Sequence, residues 1–107
     1  MKPVSLAQLR YFVAVAEEGH VGRAAQRLHV AQPPLSRQIR ALEDEVGTAL
    51  FARTPRGMTL LPAGHVFLEH TRSILSELER ALVAVRSSPV DGVVGASAEP
   101  PRFGPAR

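Results

Sequence analysis

The chain has 107 residues, with 13 Lys and Arg against 10 Asp and Glu, and it contains neither Cys nor Trp. A chain of this length buries only about 60–70% of its unfolded surface, which allows one small domain and leaves little material for a substrate pocket. The lack of Cys excludes a disulfide framework and a thiolate metal site; no apolar run reaches the roughly 18–20 residues of a membrane span, and no signal-peptide pattern opens the chain.

The net charge of +3 is unevenly placed, with 8 basic and 5 acidic side chains in residues 1–62 and 5 of each in residues 63–107. All of the excess therefore lies in the first part, although three of its acids are consecutive, Glu43-Asp44-Glu45. So small an excess is by itself a weak argument for a polyanionic partner.

In chain order, Ser5 and Gln8 have the spacing of a capping box. They open a first helix in which Leu6, Leu9, Phe12, Val13 and Ala16 form the apolar face and Gly19 supplies the stop. A short second helix is predicted over 23–28 with Gly22 as N-cap, followed by a turn at His29-Val30-Ala31. The third helix is predicted over 32–46. Leu35, Ile39, Leu42 and Val46 fall at i, i+4, i+7 and i+11, while Pro33, Arg37, Arg40 and Asp44 take the opposite side with Ser36 beside them. Pro33 and Pro34 fit its first turn, where backbone N–H groups have no intrahelical partner, and Gly47 ends it. Strands over 50–53 and 58–61 flank Thr54-Pro55-Arg56-Gly57 as a short hairpin. From Pro62 a long helix is predicted to residue 86, about 36 Å at 1.5 Å per residue, too long for so small a domain to cover. Prolines and glycines then dominate, and 88–107 is expected to be a disordered tail.

The second and third helices form a helix-turn-helix pattern, with Ala24-Ala25 permitting close crossing and Leu28 and Val30 available to plug the corner. Arg37 and Arg40 stand toward the N-terminal half of the third helix; the acids at its far end oppose the helix dipole and would repel phosphate. A helix entering a major groove N-terminus first reads bases with that end. Arg37 carries the fork that matches guanine O6 and N7, Ser36 and Gln32 offer shorter hydrogen-bonding groups, and Pro33 an apolar contact to a thymine methyl or a sugar. Arg53, Thr54 and Arg56 give the hairpin a second cationic edge suited to phosphates or a minor groove. Taken alone, each group reads as an ordinary solvated surface. The order helix-turn-helix, hairpin, long helix is what favours DNA.

The run Ala24-Ala25-Gln26-Arg27-Leu28-His29-Val30-Ala31-Gln32-Pro33-Pro34-Leu35-Ser36-Arg37-Gln38-Ile39-Arg40-Ala41-Leu42-Glu43, followed by Gly47, Leu50-Phe51, Arg53 and Pro62-Ala63-Gly64, resembles the signature of LysR-type transcriptional regulators. The resemblance covers about residues 5–87. It implies a mainly α fold, a winged helix-turn-helix domain over 1–61 followed by a linker (dimerisation) helix over 62–87. The implied function is sequence-specific binding to a pseudo-palindromic operator in double-stranded DNA, in the bacterial cytoplasm and associated with the nucleoid. Base and groove contacts are then expected from Gln32, Pro33, Ser36 and Arg37, with Arg40 beside them, and wing contacts from Arg53 and its neighbours Thr54 and Arg56. His20 and Gly22 depart from the family, which commonly has hydroxyl residues there; Leu61 replaces the usual Thr before Pro62 and forfeits an N-cap worth about 1 kcal/mol. Family members continue into an effector-binding domain, which this chain is expected to lack, and with it any small-molecule effector site.

Along the long helix, Val66, Phe67, Ile74, Leu75, Leu78, Leu82 and Val85 form an apolar stripe, with Glu69, Arg72, Glu77, Glu79 and Arg80 mostly outside it. Such a stripe is covered either by the first helix or by a second copy. A two-fold homodimer is the expectation, because it would present two third helices to successive major grooves. The resemblance implies an antiparallel pairing of these helices, with higher order possible in a full-length form. His65 and His70 lie five apart rather than at the i, i+4 spacing of a helical metal pair and are expected at the surface. No converging carboxylates, Ser/His/Asp constellation or Gly-rich phosphate loop is present, so neither an enzyme, a cofactor nor a metal is expected. The alternative reading is a truncated regulator acting mainly by heterodimerising with full-length relatives.

Overall fold

The computed structural model describes residues 3–89 as α1 (Leu6–Glu18), α2 (Val21–Leu28), α3 (Gln32–Val46), β1 (Phe51–Thr54), β2 (Gly57–Leu60) and α4 (Pro62–Arg86). Of the expected tail, everything from residue 90 on lies outside the described residues.

The capping box of α1 forms as its spacing predicts. Ser5 Oγ accepts from the Gln8 amide at 3.1 Å and Gln8 Oε1 accepts from the Ser5 amide at 2.9 Å. Gly19 closes the helix at φ 69°, donating to the Val15 carbonyl. The buried side differs from the predicted face: Leu6 is exposed and Val13 and Ala16 are half-buried, whereas Leu9, Phe12, Ala14 and Val15 are buried. The physical reason is that α1 is the hub of the domain. It packs against α2, α3, α4 and β2, so no single stripe describes what it must bury.

The second helix starts two residues before the predicted position, and His20, not Gly22, is its N-cap. His20 Nδ1 accepts from the Arg23 amide at 3.3 Å, which requires the ring to carry its proton on Nε2. Gly22 leaves room for that ring, since a Cβ there would come within 3.0 Å of His20 Cε1. Ala24 and Ala25 are buried, and Leu28 and Val30 pack on the core. His29 ends the helix in the left-handed region at φ 59°.

The third helix has the predicted bounds. Ala31 makes no side-chain cap bond, and the prolines occupy the first turn. Leu35, Ile39 and Leu42 are buried in one cluster with Phe12, Val46 packs at its edge, and Gly47 at φ 91° donates to the Glu43 carbonyl.

The hairpin is antiparallel, pairing Phe51 with Leu60, Ala52 with Thr59, Arg53 with Met58 and Thr54 with Gly57. Its strands are displaced from the predicted ones and the turn narrows to Pro55-Arg56. Leu50 and Leu61 fall outside the strands, where the Leu61 amide donates to the Leu50 carbonyl at 2.9 Å. The Met58 amide donates to the Gly19 carbonyl at 3.0 Å, which docks β2 on the α1–α2 corner. Gly57, at φ 140°, has no substitute here, because a Cβ would strike the Gly19 carbonyl oxygen.

Leu61 makes no side-chain cap for α4, as its identity predicts. The first half of α4 returns to the core: Gly64, Leu68 and Thr71 are buried, and Phe67 meets Phe12 edge-on with ring centroids 5.1 Å apart. The face covered within the chain is therefore not the predicted stripe. Beyond Thr71, Leu75 and Leu78 are half-buried, while Ile74, Leu82, Val83 and Val85 are exposed.

Candidate nucleic-acid interface

Three buried residues of α3, Leu35, Ile39 and Leu42, fix which side of the helix faces out. On that side Gln32, Pro33, Arg37 and Arg40 are exposed, and Ser36 is half-buried at the margin. All five predicted groove residues thus belong to one helix whose N-terminal half faces solvent. The N-terminus of α3 and the hairpin meet at a cleft of about 210 Å³ whose walls include His20, Gly22, Gln32, Arg53, Thr54 and Met58. Sequence reasoning placed Gln32 and the hairpin residues on separate elements; the fold brings them to one surface.

At the hairpin tip Thr54 Oγ1 donates to the Gly57 carbonyl and accepts from the Arg56 amide, both at 3.2 Å, which braces the turn. Among the described residues Arg37, Arg40 and Arg56 make no ion pair, whereas Arg23, Arg27, Arg53, Arg72 and Arg80 all do. Arg10 and Arg86 are likewise unpaired, so the predicted groove helix and the hairpin tip hold three of the five described guanidinium groups that make no ion pair.

Arg53 is held differently. Its Nη2 donates to Glu43 Oε1 at 3.0 Å, and Glu43 Oε2 accepts from the Leu50 and Phe51 amides at 2.8 and 3.1 Å. Glu43 is only 9% exposed. The expectation that the whole run Glu43-Asp44-Glu45 would repel phosphate is therefore corrected at its first member, which clamps the hairpin to α3. Burial pushes the Glu43 carboxyl up, but the Leu50 amide, the Arg53 guanidinium and the Phe51 amide together outweigh it and hold the group below the usual carboxylate range.

A second cluster, also missed from the sequence, ties α2 and α4 to the end of α1. Glu17 accepts from Arg27 at 2.8 Å and from Arg72 at 2.9 Å, and Glu18 pairs with Arg27 at 3.3 Å. Hydrogen bonds from Arg27 and then Arg72 hold the Glu17 carboxyl low, against a smaller opposing effect of burial. His65 and His70 are exposed. Among the described residues no group of three or more His, Asp and Glu could hold a metal ion, and no helix is long and apolar enough to cross a membrane.

A helix-turn-helix with an outward, partly cationic second helix and a cationic two-stranded hairpin beside it defines the winged helix-turn-helix class. Within that class the chain belongs to the LysR family: the profile described as "Bacterial regulatory helix-turn-helix protein, lysR family" matches residues 6–65. The chain is 54% identical over 81 residues to the HTH-type transcriptional regulator ClcR of Pseudomonas putida, covering 76% of this chain and 28% of that protein. It is 49% identical over 79 residues to the HTH-type transcriptional regulator AlsR of Bacillus subtilis (strain 168), covering 74% of this chain and 26% of the relative. The chain thus spans less than a third of the length of these relatives. Among solved structures, the DNA-binding domain of CbnR in complex with DNA aligns at a TM-score of 0.75 and 48% identity, over 78% of this chain and 95% of that one. The BenM DNA-binding domain in complex with benA site 1 DNA aligns at a TM-score of 0.74 and 43% identity, over 77% and 95%.

Proposed function

We propose that this chain is the DNA-reading part of a bacterial transcriptional regulator, binding duplex DNA sequence-specifically as a two-fold dimer in the cytoplasm. The observation that carries the reading is the exposed N-terminal half of α3. It presents Gln32, Pro33, Ser36, Arg37 and Arg40 beside a hairpin bearing Arg53, Thr54 and Arg56, on a fold 48% identical to a chain solved on DNA. In this reading α3 lies in the major groove with Arg37 as the principal base reader. Gln32 and Ser36 add hydrogen bonds, Pro33 an apolar contact, and Arg40 and the wing hold phosphates. The exposed apolar residues of α4 pair with those of a second copy, giving two reading heads on a pseudo-palindromic site.

The test uses duplex selected from a randomised pool together with a random-sequence control. Wild-type affinity for both falls linearly in log–log terms with salt. Arg37→Ala is expected to cost about 1–3 kcal/mol on the selected duplex and to relax preference at one base position. Unchanged binding of Arg37→Ala to both duplexes would show that the groove assignment is wrong.

A further inference from the structure

We propose that Glu43 is a specificity-determining residue of this interface: its carboxylate competes with DNA phosphate for the Arg53 guanidinium and withholds that cation from loosely bound duplex. The proposal rests on the DNA-binding reading above and concerns a residue that would touch no base. Glu43 cannot follow Arg53 outward, because its other oxygen holds the Leu50 and Phe51 amides, which would be orphaned if the carboxylate turned away. The Arg53 side chain is 34% exposed and that of Glu43 only 10%, so the guanidinium reaches solvent while its partner stays inside. Moving Arg53 fully onto a phosphate therefore leaves a buried carboxylate without its cation, a costly state. A seated complex, in which α3 and the wing are engaged together, supplies enough other contacts to offset that cost. A sliding or misregistered complex does not, and in it Arg53 stays on Glu43. The contrast is with Arg56, three residues on at the hairpin tip, which has no carboxylate partner among the described residues and is available to any duplex.

Glu43→Gln tests this, since the amide keeps one carbonyl oxygen for the Leu50 and Phe51 amides and removes the charge. Affinity for random duplex should rise severalfold, and the log–log salt slope on that duplex should steepen by about 0.9, the value for one added phosphate contact. The ratio of selected to random affinity should fall. Asp44→Asn removes the same charge from an exposed neighbour and gives the baseline for general repulsion. In an Arg53→Gln background the Glu43→Gln gain should disappear. Arg53→Gln alone should weaken the selected duplex while leaving the random-duplex slope unchanged. A carboxylate that is only a structural clamp predicts the opposite sign, with Glu43→Gln weakening both duplexes. That outcome, a gain no larger than that of Asp44→Asn, a gain that survives Arg53→Gln, or a random-duplex slope that Arg53→Gln alone makes shallower, overturns the proposal. A wild type with no salt-dependent duplex affinity fails earlier and overturns the DNA-binding reading itself.

Discussion

Both oxygens of the Glu43 carboxylate are committed, one to two backbone amides and the other to a guanidinium, and all three partners favour its ionised form. Its folded pKa lies below that of an unfolded glutamate, about 4.3. The sign follows: Glu43 contributes stability that is fully present above the unfolded value and is lost as pH falls through the folded one. Thermal melts of wild type and Glu43→Gln should therefore be well separated at neutral pH and converge as the solution is taken below about pH 4. Glu17 titrates in the same direction in both proteins, so the difference isolates Glu43. A separation that stays constant into strong acid would contradict the assignment. The sequence exposes Arg37 and Arg40, because Leu35, Ile39 and Leu42 mark the inner side of a regular helix. Glu43 was not legible in the same way. Its partners Leu50, Phe51 and Arg53 lie seven to ten residues on, beyond the Gly47 stop, and that separation has no helical or strand period.

At the scale of elements, legibility follows punctuation. α3 and α4 have the bounds their prolines and Gly47 imply, since those residues act locally and alike in any fold. The start of α2 was misplaced because its cap is an imidazole, a group outside the usual Ser, Thr, Asp and Asn set. The hairpin shifted because the Leu61 amide bonds to the Leu50 carbonyl outside the ladder, which no strand pattern announces. The His20 cap has a measurable consequence. α2 has 8 residues, well under the roughly 12–15 at which an isolated helix becomes even marginal, so it depends on its ends and its packing. His20→Ala should cost about 1 kcal/mol, seen as a fall of roughly 4–8 °C in Tm for a domain of this size. His20→Asn, which restores a side-chain acceptor, should recover most of the loss in the same circular dichroism melts. Equal melting of the Ala and Asn variants would assign the effect of His20 to packing instead of capping.

At the scale of the molecule, α4 is one helix with two environments. Gly64 is buried against Leu50 and Leu60, Leu68 and Thr71 are buried further along, and Arg72 adds an ion pair to Glu17 of α1. Further along, Ile74, Leu82, Val83 and Val85 face solvent in the single chain, Val85 at 72% exposure. The sequence stripe ran both regions together because an unbroken helix carries no mark of where intramolecular cover ends; that limit is set by the length of α1, 13 residues against 25. An apolar strip of this kind on a domain with its own core is what the proposed dimer would cover. Ile74→Glu combined with Leu78→Glu lies beyond the core contacts of Phe12 with Phe51 and Phe67, so the reading head should fold and melt as wild type. In sedimentation the wild type is expected at dimer mass and the variant at monomer mass. On DNA the two changes separate affinity from avidity. Binding to a duplex with one half-site should be unaltered, because α3 and the wing are untouched. Binding to a duplex with two half-sites should fall by roughly 100-fold or more, since the second head no longer arrives at the effective concentration that linkage supplies. A doubly charged α4 that still sediments as a dimer would move the association surface off this helix. Monomers that kept the full two-site affinity would mean the two heads bind independently.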